Sequence, residues 1–312
     1  MEKIQRILVA TDFSSRADRA VQRAAQLAVE HSGELYLLHV LPAFPLETLK
    51  HLVVETPLET EQRFYNRAKV ALQNMVEPLA GSGIRIQHHV AIGRAHIEIN
   101  RYAEYHHVDL VVIGSHGESF AQEFLLGTTV SKTLRTGHHP LLIIKQEPKG
   151  RYERILVPVD FSQVSLNALN VAVRVAREAS IHVLHAVEIP FGQKMRETGV
   201  SAEWIDRYRD KMLERARGGM EKIVSDAAPG DGRVTSMIEY GKSALKIREK
   251  SESLGIDLIV IGKRGETELD EALFGSVTKH VLYETSCDVL VVTPATGTQS
   301  DSQPDTPPDT PQ

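Results

Sequence analysis

Two glycine patterns with the same spacing are the residues of this chain best suited to chemistry. The first is Gly114-x-x-Gly117, nine residues, then Gly127-Thr128. The same pattern returns 148 residues later and consists of Gly262, Gly265, Gly275 and Ser276. Glycine can adopt positive φ and lets backbone N–H groups approach a ligand, and the N-terminus of a helix favours an anion. The two patterns therefore predict two sites that bind phosphate through backbone groups.

An aspartate accompanies each glycine pattern. Asp12 and Asp160 follow the first strand-like run of each copy, and the preceding Arg-Ile-Leu-Val runs begin at Arg6 and Arg154 with the same 148-residue spacing. A repeat that includes its flanking residues indicates duplication of the whole unit. Because a carboxylate repels phosphate, we expect this aspartate to bind base or ribose, or to hold a cation that bridges to phosphate. The sequence leaves both roles open.

Apolar strand-like runs alternate with helical patterns in the same order in both halves. This alternation predicts an α/β fold: two tandem, open, twisted, parallel five-stranded sheets of order 3-2-1-4-5 with helices on both faces. The strand order then reverses between strands one and four, which is where such sheets bind ligands. Asp12 and Gly114 follow these two strands. The sequence therefore predicts that the aspartate and the glycine pattern lie side by side.

Length and composition fit two globular domains. The chain has 312 residues, of which 42% are hydrophobic and 25% charged, and about 150 residues is an ordinary domain size. We expect nucleotide-binding domains at 1–146 and 152–294. Residues 295–312 contain no large apolar side chain, which predicts a disordered tail. The net charge of −5 gives no basic footprint for nucleic acid.

Cellular location can also be predicted from the sequence. Cys287 is the one cysteine, so no disulfide can form within the chain and a reducing compartment is expected. The first residues lack the apolar core of a signal peptide, and no apolar run approaches the ~20 residues of a membrane span. These features predict a cytoplasmic protein without a membrane partner.

Five further residues have structural interpretations. Ser14 and Ser162 follow the aspartates by two positions and are expected to cap the next helices. His39 and His185 stand near the ends of equivalent strands and are expected to be buried and hydrogen-bonded. Cys287 beside the last strand is expected to be a small buried residue.

At these residues the chain resembles the universal stress protein family in its tandem form. The family signature is G-2x-G-9x-G-(S/T), which both copies match, and the resemblance extends to Asp12, Asp160 and Leu38-His39-Val40. It implies a Rossmann-like fold of the adenine nucleotide alpha hydrolase type. The implied ligand is ATP or another adenine nucleotide, with or without Mg²⁺. Family dimers form through the last strand, so the resemblance implies an internal pseudo-dimer here. A further homodimer stays open.

The resemblance also implies the residues of each site. In site one, the adenosine end would use Thr11, Asp12 and the Val40 backbone. The phosphate end of site one would use Gly114, His116, Gly117, Gly127 and Thr128. Site two would use Val159, Asp160, Ala186, Gly262, Arg264, Gly265, Gly275 and Ser276. Ala186 stands where the family has valine, a small change if only its backbone touches the base.

Three functions are compatible with these residues. The first is a stress-response protein that binds ATP as a sensor or signalling module with an unidentified protein partner. It is favoured because the sequence shows no recognisable catalytic base, so an enzyme is not expected. The second is a slow metal-dependent nucleotide hydrolase or phosphotransferase. The third is an interaction scaffold with vestigial nucleotide sites.

Overall fold

A computed structural model describes five stretches of the chain. They are residues 4–43, 57–116, 126–188, 201–263 and 274–293. Four of the predictions made above fall outside these residues: Gly117, Arg264, Gly265 and the tail at 295–312.

The first half alternates strands and helices. Its strands are β1 (Arg6–Ala10), β2 (Glu34–Leu41), β3 (Arg85–Ile92), β4 (Leu110–Gly114) and β5 (Leu141–Ile144). Its described helices are α1 (Ser15–His31), α2 (Pro57–Val76), α3 (Ala95–Tyr105) and α4 (Thr128–Thr136), with a 3₁₀ turn at Glu77–Ser82.

The second half repeats the same order. Its strands are β6 (Arg154–Pro158), β7 (Ser180–Val187), β8 (Val234–Tyr240), β9 (Leu258–Gly262) and β10 (Asp288–Val292). Its described helices are α5 (Gln163–Val175), α6 (Ala202–Ala227), α7 (Ser243–Ser253) and α8 (Ser276–Glu284).

All ten strands form one sheet, in the order β3-β2-β1-β4-β5-β10-β9-β6-β7-β8. Within each half the neighbours follow the 3-2-1-4-5 order and run parallel. The prediction of two separate sheets is wrong, because β5 and β10 pair antiparallel, with Leu142 opposite Leu290. Both of these last strands are buried throughout, and apart from Asp288 their residues are apolar. Pairing them satisfies backbone groups that two separate edges would leave open.

Helices cover both faces of the sheet, as the continuous apolar strands predict. Ile7 and Val9 of β1 belong to a core that includes residues of α1, α2, α5 and α6. Leu8 and Ala10, which point to the opposite face, belong to a second core with residues of α3, α4, α7 and α8. Each core contains residues of both halves, so the packing continues across the β5–β10 seam. The α/β fold is thereby confirmed.

A buried polar cluster lies beside the seam. Asp288 at the start of β10 has no exposed surface, and its Oδ1 accepts hydrogen bonds from the backbone N–H groups of Lys145 (2.9 Å) and Gln146 (3.2 Å). The Arg23 guanidinium lies 3.8 Å from Oδ2 of Asp288 and 4.0 Å above the Tyr152 ring. A buried carboxylate needs such partners to offset its lost hydration.

Within the described stretches, no helix combines the length and the apolar character that crossing a bilayer requires.

Candidate functional site

The carboxyl ends of β1 and β4 border a cavity of about 580 Å³ in the first half. The strand order reverses at this point, since β1 has β2 on one side and β4 on the other. The cavity is lined by every described residue of predicted site one: Thr11, Asp12, Val40, Gly114, His116, Gly127 and Thr128. Residues from four separate parts of the chain therefore meet at one cavity.

An equivalent cavity in the second half is smaller. It measures about 170 Å³ and lies at the carboxyl ends of β6 and β9. Its lining includes Val159, Asp160, Ala186, Gly262, Gly275 and Ser276, which are the described residues of predicted site two. The two sites thus share their positions in the repeat but differ in volume.

Each site aspartate is held in a tight turn by the serine two residues later. Oδ1 of Asp12 accepts hydrogen bonds from the backbone N–H (3.1 Å) and the hydroxyl (2.6 Å) of Ser14. The hydroxyl oxygen of Ser14 in turn accepts from the backbone N–H of Ala17, which confirms Ser14 as the cap of α1. Asp160 and Ser162 repeat both distances, and Ser162 caps α5. The carboxylate is therefore oriented before any ligand arrives.

The helix starts supply the groups that suit an anion. Gly127 and Gly275 are the N-cap residues of α4 and α8, and as glycines they bring no capping side chain of their own. The first turn of a helix leaves N–H groups without intrahelical partners, and the helix dipole adds partial positive charge there. Residues 127–130 line the first cavity and residues 275–278 the second. Both cavities thus contain one wall that favours negative charge.

The role expected for Gly114 needs a correction. Its φ is not positive, and it ends β4 in the extended backbone of the strand. A Cβ at this position would stand 3.1 Å from the carbonyl oxygen of Arg16. Gly114 is therefore required because the first turn of α1 packs closely on the end of β4, rather than for an unusual backbone conformation.

His116 lies in the wall of the first cavity and is 8% exposed. Its Nδ1 is 3.1 Å from the hydroxyl of Ser115. Burial lowers the pKa of the His116 imidazole, and the nearby charge of Arg16 lowers it further. The ring is therefore neutral near pH 7 and offers hydrogen-bonding capacity rather than a positive charge.

Sequence reasoning missed several lining residues. Ala95 and Ile99 of α3 line the first cavity, and Ser243 and Ile247 of α7 occupy equivalent places in the second. Ala95 and Ser243 are 148 positions apart, as are Ile99 and Ile247, so the repeat could have indicated these lining residues. However, helical residues on an apolar face look like ordinary core in a sequence.

His39 and His185 adopt the hydrogen-bonded role that was predicted. Nδ1 of His39 lies 2.8 Å from the carbonyl oxygen of Thr11, and Nδ1 of His185 lies 2.8 Å from that of Val159. Because a carbonyl only accepts, each Nδ1 carries the hydrogen. Burial lowers the pKa of His39, which favours this neutral form. Both histidines are half-buried.

In the stretches with described side chains, no group of three or more His, Cys, Asp or Glu could hold a metal ion. Asp12 is the carboxylate among the described lining residues of the first cavity.

Comparison with known proteins identifies the family. A model described as the universal stress protein family matches residues 3–145 and again residues 151–293. The chain therefore belongs to the universal stress protein family, as a tandem form, and has a role in the stress response.

Curated relatives and solved structures agree with this assignment. The chain is 24% identical to universal stress protein E homolog of Haemophilus influenzae, over 94% of this chain and 98% of that protein. It is 30% identical to universal stress protein YxiE of Bacillus subtilis, over 45% of this chain and 99% of that protein. A universal stress protein structure from Archaeoglobus fulgidus shares the fold, with a TM-score of 0.65 at 21% identity over 92% of this chain and 97% of that one.

Proposed function

We propose that this chain is a stress-response protein that binds an adenine nucleotide, foremost ATP, and acts as a sensor or signalling module with little turnover. The observation that carries the proposal is the 580 Å³ cavity, in which an oriented aspartate faces the same space as a helix N-terminus whose N-cap is a glycine. Each repeat would form one nucleotide-binding domain, over 1–146 and 152–294, and the two would act as an internal pseudo-dimer in the cytoplasm.

The cavity residues suit the two ends of such a ligand. Thr11, Asp12 and the backbone of Val40 would contact the adenosine end, where a carboxylate can accept hydrogen bonds from base or ribose. Gly127 and Thr128 would contact the phosphates, because the helix start offers N–H groups and a hydroxyl. Mg²⁺, if it accompanies ATP, would enter with the phosphates rather than with a protein cage.

The volumes favour site one as the principal site. Pockets for small molecules commonly span about 300–1,000 Å³, so the cavity of 580 Å³ lies within this range and the cavity of 170 Å³ below it. Site two would have to widen before it could hold a whole nucleotide. The free energy needed to widen the second cavity reduces the favourable free energy of nucleotide binding there. We therefore propose that site two binds the same ligand more weakly.

Purification without added nucleotide tests the proposal. The protein is denatured, and the released nucleotides are separated by chromatography and counted per chain. In parallel, thermal unfolding is followed with ATP, ADP, AMP or GTP, with and without Mg²⁺. A ligand at 100 times its Kd should add about 2.7 kcal/mol to the stability. If no nucleotide is released and no adenine nucleotide shifts the unfolding temperature, the proposal is contradicted and the scaffold is favoured.

Turnover is measured on the same sample. ATP is incubated with the protein and Mg²⁺, and ADP and phosphate are counted over many equivalents. If the protein is the proposed sensor, each chain releases less than one molecule of ADP in the time that a bound nucleotide takes to exchange. Sustained multiple turnover would favour the hydrolase instead.

A further inference from the structure

Phe13 and Phe161, the residues between the site aspartates and the capping serines, have an unusual backbone. Their φ angles are 64° and 66°. Within the described residues, the other non-glycine positions with positive φ are Ser32 and His107. A bulky residue rarely adopts this left-handed conformation, because its Cβ crowds the backbone. The recurrence at two repeat-equivalent positions indicates a conformation that the sites require.

The same turn orients the carboxylate. The left-handed backbone of Phe13 turns the chain sharply. The N–H and hydroxyl of Ser14 can therefore donate hydrogen bonds to Oδ1 of Asp12 at 3.1 and 2.6 Å. The second copy has the same bonds from Ser162 to Asp160. Loss of the left-handed conformation would therefore break these bonds and redirect the carboxylate.

Contact with a second aromatic ring offsets the cost of this backbone. The Phe13 ring lies 4.3 Å from the His39 ring at 31°, and the Phe161 ring lies 4.2 Å from the His185 ring at 32°. Each imidazole also binds the carbonyl of the residue that precedes the aspartate. The histidine thus contacts the chain on both sides of the aspartate, once through the ring of the next residue and once through the preceding carbonyl.

In the second half, a helix holds the phenylalanine from the other side. A Cβ added at Gly219 of α6 would stand 3.0 Å from two atoms of the Phe161 ring. The neighbouring Gly218 has nothing within 4 Å of such a Cβ. The ring of Phe161 therefore has His185 near one side and the backbone of α6 near another, which leaves it little freedom.

We infer that Phe13 and Phe161 are positioning residues of the nucleotide sites: a left-handed backbone at each aims the neighbouring aspartate, and contact with the histidine ring stabilises that backbone. The inference rests on the proposed nucleotide sites and adds residues to them that touch no ligand themselves. It predicts that backbone conformation, rather than side-chain bulk, decides whether the site is competent.

Three substitutions distinguish the effect of the backbone conformation at position 13 from the effect of its aromatic ring. Phe13→Ala removes the ring and keeps a Cβ that disfavours positive φ. Phe13→Gly removes the ring and the Cβ together, so the turn needs no compensation. We expect Phe13→Ala to weaken ATP binding at site one about tenfold, because fewer molecules hold the competent turn. Phe13→Gly is expected to bind at least about threefold more tightly than Phe13→Ala. Phe13→Tyr should bind like the wild type.

This order distinguishes positioning from simple packing. A phenylalanine that served only as core would give a weaker site with glycine than with alanine, because glycine fills less space and costs more unfolded-chain entropy. ATP binding is measured by calorimetry, with far-UV circular dichroism as the check on folding. Wild-type affinity in Phe13→Ala, or weaker binding by Phe13→Gly than by Phe13→Ala, would overturn the inference.

The helix α6 contact gives a test that leaves Phe161 itself intact. Gly219→Ala presses on the ring and should weaken ATP binding at site two, whereas Gly218→Ala makes the same helix substitution in open space and should leave it unchanged. Equal affinities in these two variants would contradict the inference for site two. Gly219→Ala and Gly218→Ala still test the inference if the phenylalanine variants do not fold.

Failure of the proposed function is recognised separately. If the wild type binds no adenine nucleotide, the nucleotide proposal fails. The stabilities of Phe13→Gly and Phe13→Ala toward urea still test the backbone part, because glycine is the more stable variant only where φ is positive. A less stable Phe13→Gly would then overturn the inference.

Discussion

Tyr152 donates a hydrogen bond of 2.7 Å from its hydroxyl to Oδ2 of Asp288, so that the first residues of the second half are joined to its last strand across 136 positions of sequence. Both residues are buried, and burial raises the pKa of each. The Asp288 carboxylate also accepts from the chain that follows β5. The chain just before and just after residues 147–151, which join the two repeats, is therefore attached to the last strand beside the β5–β10 seam.

Removal of this hydroxyl should destabilise the whole chain. Tyr152→Phe keeps the ring beneath Arg23 but withdraws one donor from a buried carboxylate, and hydrogen bonds to charged groups contribute about 2 kcal/mol. We expect the free energy of unfolding in urea to fall by about that amount. Tyr105→Phe is the control, because Tyr105 is 45% exposed. Equal stabilities of the two variants would contradict the role of this bond.

Cys287 should be protected from thiol reagents. It is 4% exposed, and burial raises the pKa of its thiol to about 11. At pH 8 the thiol is therefore protonated, and the thiolate is the reactive species. We expect Ellman's reagent to react with less than a tenth of the thiol (roughly) in the folded protein and with all of it in guanidinium. Rapid labelling of the folded protein would show that the last strand opens readily.

Gly33 between α1 and β2 should resist substitution. A Cβ there would stand 2.7 Å from the carbonyl oxygen of Gln5, which belongs to the backbone and cannot move aside easily. Gly33→Ala is expected to lower the stability by about 1–3 kcal/mol. Gly81→Ala is the matched control, because nothing lies within 4 Å of its added Cβ. Urea unfolding of both variants measures the difference, and an unaffected Gly33→Ala would argue against this packing.

Thr11 should strengthen site one relative to site two. Its hydroxyl oxygen accepts a hydrogen bond of 3.1 Å from the backbone N–H of Phe13, and Val159, its repeat equivalent, has no hydroxyl. Thr11→Val should weaken ATP binding at site one about fivefold, the effect of one hydrogen bond of about 1 kcal/mol. Thr11→Ser keeps the hydroxyl and should bind like the wild type. Identical affinities of the Val and Ser variants would show that the hydroxyl has no part in binding.

Much of the architecture could be predicted because it repeats. The spacing between Asp12 and Asp160 indicated the duplication, and the apolar strands indicated a sheet covered on both faces. The strand order within each half then placed Asp12 beside Gly114. These predictions rest on patterns that many residues share, so no single side chain could invalidate them.

Three features could not be predicted, each for a physical reason. The antiparallel pairing of Leu142 with Leu290 does not follow from the residues of the two strands, because an apolar strand does not specify its neighbour; contact through the last strand was implied only by the family resemblance. The left-handed Phe13 contradicts the local preference of its residue type and is stabilised by His39 from another strand. The difference in volume between the two cavities cannot be read from the glycine pattern, because that pattern is the same in both copies.

The most direct test of the account is to block each cavity in turn and count bound ATP. Ala95→Trp adds a large ring at the wall of the first cavity, and Ser243→Trp does so at the equivalent place in the second. Calorimetric titration of both variants with ATP, beside the wild type, measures affinity and stoichiometry. We predict that Ala95→Trp loses the tighter binding event while Ser243→Trp retains it. ATP binding by Ala95→Trp with the affinity and stoichiometry of the wild type would contradict the central claim.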